Sequence, residues 1–438
     1  MEENNDIKKI SEEKNHLNLD KKIDYNGLIF DNIHGYIPIN NIIRKIIDTP
    51  VFQRLRYIHQ TGALFYVFPT ANHSRFEHSL GTYYLANKFI TRLKENQPEL
   101  NITEKIIKIV SIAGLCHDIG HLFFSHLFDD LFLKRLESYN KLGKNVHHEE
   151  RSKFLLEYMI KKYEIDITED ELLVIGDLIY PKKSNYDKWE SEFKVGKWLF
   201  QIVSNPKNNI DVDKFDYIYR DNQAVGLKLN FEYERIIEQS IVINDDIHYP
   251  IKVKDDLYHM FFIRYRLHRQ IYNHKTVKSI ELLLVDALFK LEETENISSC
   301  INDPERMIQF TDSYLRNCNN KNVKEIINRI ECRILPSLVF ESISIGDIKL
   351  DEDTEKRINE LEKENLIKTM KFKVGYISGK GKNPLNSILF YNSKNKNVIK
   401  IESLKNFSLL INNKHQENFF RIYCMNKELK SELKNYFN

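Results

Sequence analysis

The run Ile106 to Cys116 is the most apolar stretch of the chain and carries a single charge, Lys108. It is too short to cross a bilayer, so it has to be buried in a protein core. The polar string His117-Asp118-Ile119-Gly120-His121 follows immediately, so core burial brings these side chains with it. Ile106, Ile109, Val110 and Ala113 recur at helical spacing, and Asn101-x-x-Glu104 reads as the cap that opens this helix. A second helix precedes it. Ser74-Arg75-Phe76-Glu77 has the form of a capping box, and Phe76, Leu80, Tyr83, Ala86, Ile90 and Leu93 then mark one helical face. Pro98 separates the two helices. A third, longer helical pattern runs from about Leu257 to Leu291.

Breakers are scarce throughout, with 14 glycines and 10 prolines in 438 residues against a usual share of roughly 12%. The expected fold class is therefore mostly α. The pattern changes after Ser344. Gly375, Gly379, Gly381 and Pro384 cluster there, and Ser387–Tyr391, Ile399–Ile401 and Arg421–Cys424 read as strands. The expected organisation is a charged, disordered tail over 1–22, a helical core domain over 23–340 and a smaller α+β lobe over 341–438.

Composition excludes several classes. Lys+Arg is 65 and Asp+Glu is 63, a net charge of +2. That balance argues against a dedicated polyanion-coating protein and leaves nucleic-acid binding at most a side activity. The five cysteines, Cys116, Cys300, Cys318, Cys332 and Cys424, contain no C-x-x-C pair. A disulfide framework or cysteine zinc site is not expected, and a reducing, intracellular setting is. The first twenty residues have no apolar signal core. The chain reads as soluble.

The chemistry concentrates around His117-Asp118. A bare His-Asp pair is most often a helix-end feature. Here His78, in Arg75-Phe76-Glu77-His78, and an aspartate of Asp211-Val212-Asp213 stand as long-range partners. Two imidazoles and two carboxylates suit an open site for Mn, Fe, Co, Zn or Mg rather than a closed structural one. Lys214, Tyr217 and Asp221 share a helix face at i, i+3 and i+7. Arg264, His268 and Tyr272 fall at i, i+4 and i+8, with Lys275 close to the same stripe. Both sets read as either solvated faces or the walls of a polyphosphate pocket. His121, His126 and His148 are candidate acid/base groups, since imidazole titrates in the useful range.

Three strings carry a resemblance: Asn72-His73-Ser74-Arg75-Phe76-Glu77-His78-Ser79-Leu80-Gly81, Ala113-Gly114-Leu115-Cys116-His117-Asp118-Ile119-Gly120-His121, and Asp211-Val212-Asp213-Lys214-Phe215-Asp216-Tyr217. In this order they resemble the HD-domain phosphohydrolases, and within them the SAM- and HD-domain-containing deoxynucleoside triphosphate triphosphohydrolases. The likeness extends from Asp31-x-Ile33-His34-Gly35 through Ile47–Arg56 to Tyr423-Cys424. It implies no SAM domain, because too few residues precede the HD region.

The resemblance implies an HD-type helical core and a metal-dependent triphosphohydrolase with His78, His117, Asp118 and Asp213 as ligands. It places the catalytic histidine and its partner acid on His126 and Asp129, or on His121 and His148-Glu149. It assigns Arg75 to the α-phosphate, Gln60 to the sugar 3′ hydroxyl and Tyr272 to the 2′ position. Thr61 and Asn273 depart from the family pattern near sugar or base, which keeps a nucleotidase or phosphodiesterase acting on another phosphoester open. A nucleic-acid-binding or scaffold protein with a vestigial site is the alternative outside enzymes. The resemblance further implies activation by GTP or dNTP at contacts of a homo-oligomer. Asp48, Gln53, Arg56 and Arg333 match one such nucleotide site, where Gly27, Phe30 and Ser337 depart from it. Arg235, Lys252, His274, Lys275 and Lys382 match a second, where Glu232, Pro250 and Asp256 depart. Lost cations are expected to weaken activator binding.

Overall fold

The computed structural model describes residues 25–182, 185–194, 196–376, 383–399 and 415–437. The expected tail over 1–22 and the candidate Lys382 lie outside them. The fold is mostly α. Its longer helices are α1 (Asn41–Ile47), α2 (Arg75–Asn96), α3 (Glu104–Cys116), α4 (His148–Lys162), α5 (Glu169–Ile179), α6 (Val212–Ala224), α7 (Lys254–Arg266), α8 (Lys275–Glu295), α9 (Lys321–Glu331), α10 (Glu352–Lys363) and α11 (Lys430–Phe437).

Helix α2 starts where its capping box predicts, with Glu77 reaching back to the Ser74 amide and hydroxyl. All six residues of its expected apolar face are buried. So are Arg75, His78, Ser79 and Thr82 on its other faces. The first turns of α2 are thus buried on most sides, while its second half presents Lys88, Arg92 and Glu95 to solvent, and the polar residues of the first turns are held inside the molecule. Helix α3 packs alongside, with Ile106, Ile109, Val110, Ala113 and Cys116 buried. Lys108 pairs with Glu171 of α5 at 2.7 Å.

Two expected boundaries are corrected. The cap of α3 is Thr103, whose hydroxyl accepts from the Ile106 amide at 3.4 Å. Asn101 instead ends the Pro98–Leu100 turn in the left-handed region, φ 51°, a conformation that Asn tolerates well. The single helix expected over 257–291 is two helices. α7 ends at Arg266, one wide turn covers Leu267–Tyr272, and α8 restarts at Lys275. His274 caps the restart by accepting from the Thr276 amide. Lys275 is thus out of register with the Arg264, His268 and Tyr272 stripe.

The strands form three small sheets. β1 (Tyr25–Asp31) and β2 (Gly35–Asn40) make an antiparallel hairpin. β3 (Ile241–Ile243), β4 (Asp246–Pro250), β7 (Phe390–Tyr391) and β8 (Val398–Ile399) form the second sheet. β5 (Ser337–Ser344), β9 (Gln416–Cys424) and β6 (Ile367–Gly375) form the third, with β9 central. This third sheet and α10 and α11 share a small core of Val339, Ile358, Leu361, Ile367, Ile422 and Leu433. The strand expected over 387–391 shortens to Phe390–Tyr391 and pairs in parallel with β4. Phe390 joins the main core, so this part of the late chain packs into the helical domain. Among the described residues, no helix is long and apolar enough to cross a membrane.

Candidate metal and phosphate site

Three segments meet at the first turn of α2. His78 comes from α2, His117 and Asp118 from the end of α3, and Asp213 from the first turn of α6. His78 Nε2 lies 3.2 Å from His117 Nε2, 3.4 Å from Asp118 Oδ2 and 3.2 Å from Asp213 Oδ1. His117 Nε2 lies 3.3 Å from Asp118 Oδ2 and 3.5 Å from Asp213 Oδ1. Asp211 is elsewhere engaged: it caps α6 on the Lys214 amide and accepts from the Asn205 amide.

The outer nitrogens of both imidazoles are fixed. His78 Nδ1 donates to Asp216 at 2.7 Å, and His117 Nδ1 donates to the Gly114 carbonyl at 2.9 Å. In these tautomers both Nε2 lone pairs face the carboxylates, the arrangement that metal-bound histidines adopt. Two facing lone pairs and two carboxylates are a donor set that a divalent cation satisfies, so these residues fit such an ion. In the apo chain, burial opposes charge on His117, yet Asp118 and Asp213 carry its pKa up to about 9.

Asp216 organises the outer layer. It is fully buried and holds His78, His34 Nε2 at 2.7 Å and the Arg220 guanidinium at 2.9 Å. Arg220 also binds Asp31 at 2.9 and 3.2 Å, and the Tyr233 hydroxyl faces His34 Nδ1 at 3.3 Å. Burial works against the Asp216 charge, but Arg220 and both histidines hold its pKa well below the usual carboxylate range. Gly81 makes room for this: a Cβ there would sit 1.8 Å from Asp216 Oδ1. None of Asp31, His34, Arg220 or Tyr233 was singled out by spacing. The available signals were the Asp31-to-Gly35 turn and the i, i+4 pair Asp216–Arg220.

The acid/base candidates form one stack. His121 lies on His148 with ring centroids 4.0 Å apart, and the His126 ring meets both edge-on. His148 Nδ1 contacts Asp129 at 3.1 Å and Glu149 at 3.6 Å. His148 thus links the two pairings that the resemblance leaves open. Asp129 serves His148 and Arg151, not His126, because the turn after His126 carries the Asp129 carboxylate inward. His126 is open to solvent, and its side chain is 64% exposed. Burial opposes the His148 charge, but Asp129 and Glu149 raise its pKa. Burial, Arg75 and His148 hold His121 well below the usual imidazole range.

Gly120 does not end α3, which stops at Cys116. It allows close packing, since a Cβ there would lie 2.1 Å from the His148 carbonyl. Arg54 and Arg151, which the sequence did not flag, hold this turn through the carbonyls of His121 and Gly120 at 2.8 and 2.7 Å.

Of the substrate candidates, Arg75 reaches Asp118 and donates to Ser125 Oγ at 2.9 Å and the Gln60 carbonyl at 3.2 Å. Lys214 Nζ rests on Asp211 at 3.0 Å. Arg264 donates to the Tyr217 hydroxyl at 3.0 Å. Tyr272 donates to Asp221, which also lies 2.6 Å from His73 Nε2. His268 packs edge-on against Tyr272 at 4.9 Å. Burial, then Arg264, Lys278 and His126, hold its pKa well below the usual imidazole range. Gln60 has a buried amide oxygen with no hydrogen-bond partner among the described residues. The Asn273 side-chain amide turns back to the His268 carbonyl at 2.8 Å, which also accepts from the Asn273 backbone amide at 3.2 Å.

The candidate activator residues are dispersed. Gln53 binds Arg56 at 2.8 Å, and Arg56 covers the Phe76 ring at 3.5 Å. Asp48 ends α1, and Arg333 donates to the Tyr66 carbonyl at 3.0 Å. Arg235 pairs with Asp256 at 3.3 Å and donates to the Lys252 carbonyl. His274 meets Phe68, and the Lys275 carbonyl accepts from Tyr423.

A helical core that gathers His, His-Asp and Asp from three segments defines an HD-type hydrolase. The HD domain family matches residues 75–217. A Dictyostelium discoideum protein, "Deoxynucleoside triphosphate triphosphohydrolase SAMHD1 homolog", is 37% identical over 420 residues, covering 92% of this chain and 78% of its own length. The Homo sapiens "Deoxynucleoside triphosphate triphosphohydrolase SAMHD1" is 35% identical over 454 residues, covering 93% and 72%. An HD domain-containing protein of Acanthamoeba polyphaga mimivirus is 32% identical over 469 residues, covering 97% and 98%. The chain belongs to the SAMHD1-type deoxynucleoside triphosphate triphosphohydrolase family and is a hydrolase.

Proposed function

We propose that this chain converts a dNTP and water to a deoxynucleoside and inorganic triphosphate. The observation that carries the reading is the convergence of His78, His117, Asp118 and Asp213 within 3.5 Å contacts. A divalent ion on these four groups supplies Lewis acidity: it makes water a stronger nucleophile and offsets phosphoryl charge. Arg75, Lys214 and Arg264 bind the phosphates. Water attacks the α-phosphorus, and the bond to the sugar 5′ oxygen breaks.

The leaving alkoxide needs a proton. His126 supplies it, because it is the exposed imidazole of the stack. Burial, His148 and Arg75 lower the His126 pKa, which makes its protonated form a readier proton donor. Tyr272, fixed on Asp221, crowds the sugar 2′ position, and the unpartnered Gln60 oxygen takes the 3′ hydroxyl.

GTP or dNTP acts as activator on a homo-oligomer, with altered dependence. The Asp256 carboxylate already occupies Arg235, so a nucleotide phosphate must compete for that cation. The test is a product assay with each dNTP singly, Mg or Mn, and GTP present or absent. Equal amounts of triphosphate and deoxynucleoside are expected. Monophosphate, or no product from folded, metal-loaded protein, would overturn the reading.

A further inference from the structure

The His126 loop has an unusual backbone. Phe124 and Ser125, the two residues before His126, both lie in the left-handed region, with φ 52° and 60°. Neither is glycine. A bulky residue is disfavoured there, so something in the surroundings must hold the conformation. The Phe124 amide donates to Asp312 Oδ1 at 2.5 Å. Asp312 lies 188 positions further along the chain and is buried.

The other oxygen of the same carboxylate grips the opposite wall. Asp312 Oδ2 accepts from the His59 amide at 2.8 Å and lies 2.7 Å from His59 Nδ1. The His59 ring stacks on Phe65 with centroids 4.2 Å apart, and its Nε2 faces Asn72 Oδ1 at 3.0 Å. His59 precedes Gln60, and its segment is bound to the start of α2. The Gln60 amide donates to the His73 carbonyl, and the Arg75 amide donates to the Ile58 carbonyl. Ser125 closes the ring: its hydroxyl donates to the His59 carbonyl at 2.7 Å and accepts from Arg75 Nε at 2.9 Å. One carboxylate thus ties the loop carrying His126 to the segment carrying Gln60 and Arg75.

We propose that Asp312, gripping the Phe124 amide and His59 together, is a positioning residue that sets His126 against the phosphate-binding Arg75. The inference rests on the roles given to His126 and Arg75 above. Asp312 touches neither substrate nor metal ligands. It acts by holding a strained loop in the conformation that the reaction uses. Asparagine at this position keeps the volume but leaves one oxygen for three donors.

The test is a double-mutant cycle with Asp312→Asn and His126→Asn, read as kcat and KM for dNTP hydrolysis by the metal-loaded protein. Hydrogen exchange of peptides spanning residues 122–128 is measured in parallel. Asp312→Asn is expected to lower kcat at least tenfold with KM changed less than threefold, and to speed exchange in that segment. In the His126→Asn background it should cost less than twofold. An equal loss in both backgrounds, or unchanged exchange and kcat, would overturn the proposal.

Should Asp312→Asn fail to fold, His59→Gln removes the ring contact alone. A smaller kcat loss that vanishes in the His126→Asn background supports the proposal, and an additive loss rejects it. Wild-type protein that releases no triphosphate refutes the functional reading instead, and the exchange measurement then decides separately whether Asp312 holds the loop.

Discussion

Replacing Asp216 by asparagine separates the organisation of the metal site from its ligands. The side chain keeps its volume but loses its charge. Asp216 accepts one hydrogen bond from His78 Nδ1, another from His34 and two from Arg220, all within 2.9 Å. Asparagine has one acceptor oxygen and presents N–H groups on its other side. Breaking a buried ion pair costs about 3–5 kcal/mol when the partner is left alone. Arg220 keeps Asp31, so the lower end applies, about 3 kcal/mol. The second effect falls on the metal. Losing the carboxylate that orients a ligating imidazole typically weakens metal binding about 10- to 100-fold. Urea unfolding of the apo protein measures the first quantity, and Mn titration by calorimetry measures the second. Metal affinity within threefold of wild type would refute the argument that Asp216 sets the His78 tautomer. A stability loss below about 1 kcal/mol would refute the cost assigned to its buried charge.

Three further outcomes are expected. Gly81→Ala places a Cβ 1.8 Å from Asp216 Oδ1 and 2.6 Å from Arg220 Nη2, so the buried Asp216–Arg220 pair must be displaced. A loss of several kcal/mol in unfolding is expected, and a neutral result would contradict the packing. Asp129→Asn tests the His148 charge through pH. A raised imidazole pKa contributes stability that is full below the usual value of 6.5 and fades as pH climbs through the folded value. Asp129 is depressed in the fold, by Arg151 and His148 against burial, so its share is full above the usual carboxylate value and is lost as pH falls from there through the folded value. The wild-type advantage over Asp129→Asn should therefore be largest near pH 5–6 and shrink as pH climbs through the raised His148 value, towards the share of the Arg151 contact; a pH-independent difference would reject the pairing. Asn273→Ala should cost about 1 kcal/mol of stability through the lost hydrogen bond and leave KM for dNTP within twofold. A tenfold rise in KM would place Asn273 in the sugar pocket.

The local elements were legible because their causes are local. The Ser74 capping box, the α2 stripe and the apolar run of α3 depend on neighbours within a few residues, and each recurs in the structure. The resemblance then pointed to His78, His117, Asp118 and Asp213, which the fold brings together. Less was legible where a residue has two plausible partners. Asn101 looked like a helix cap and became a left-handed turn residue, while Thr103 took the cap. The stretch around Asn273 looked like one long helix and instead holds the break between two, with the Asn273 amide on the His268 carbonyl.

The sequence alone determined that this chain is helical, that its apolar run carries His117 and Asp118 into the interior, and that Lys214 and Arg264 each share a helix face with further polar residues. Periodicity and capping encode these features, and both act over one or two turns of chain. Only the tertiary structure decided which groups hold the site in place. Asp216 meets His34 across 182 positions, Arg220 meets Asp31 across 189, and Asp312 meets Phe124 across 188. Such contacts leave no spacing to read. They exist because a buried charge must find its partner wherever packing brings one within hydrogen-bonding distance.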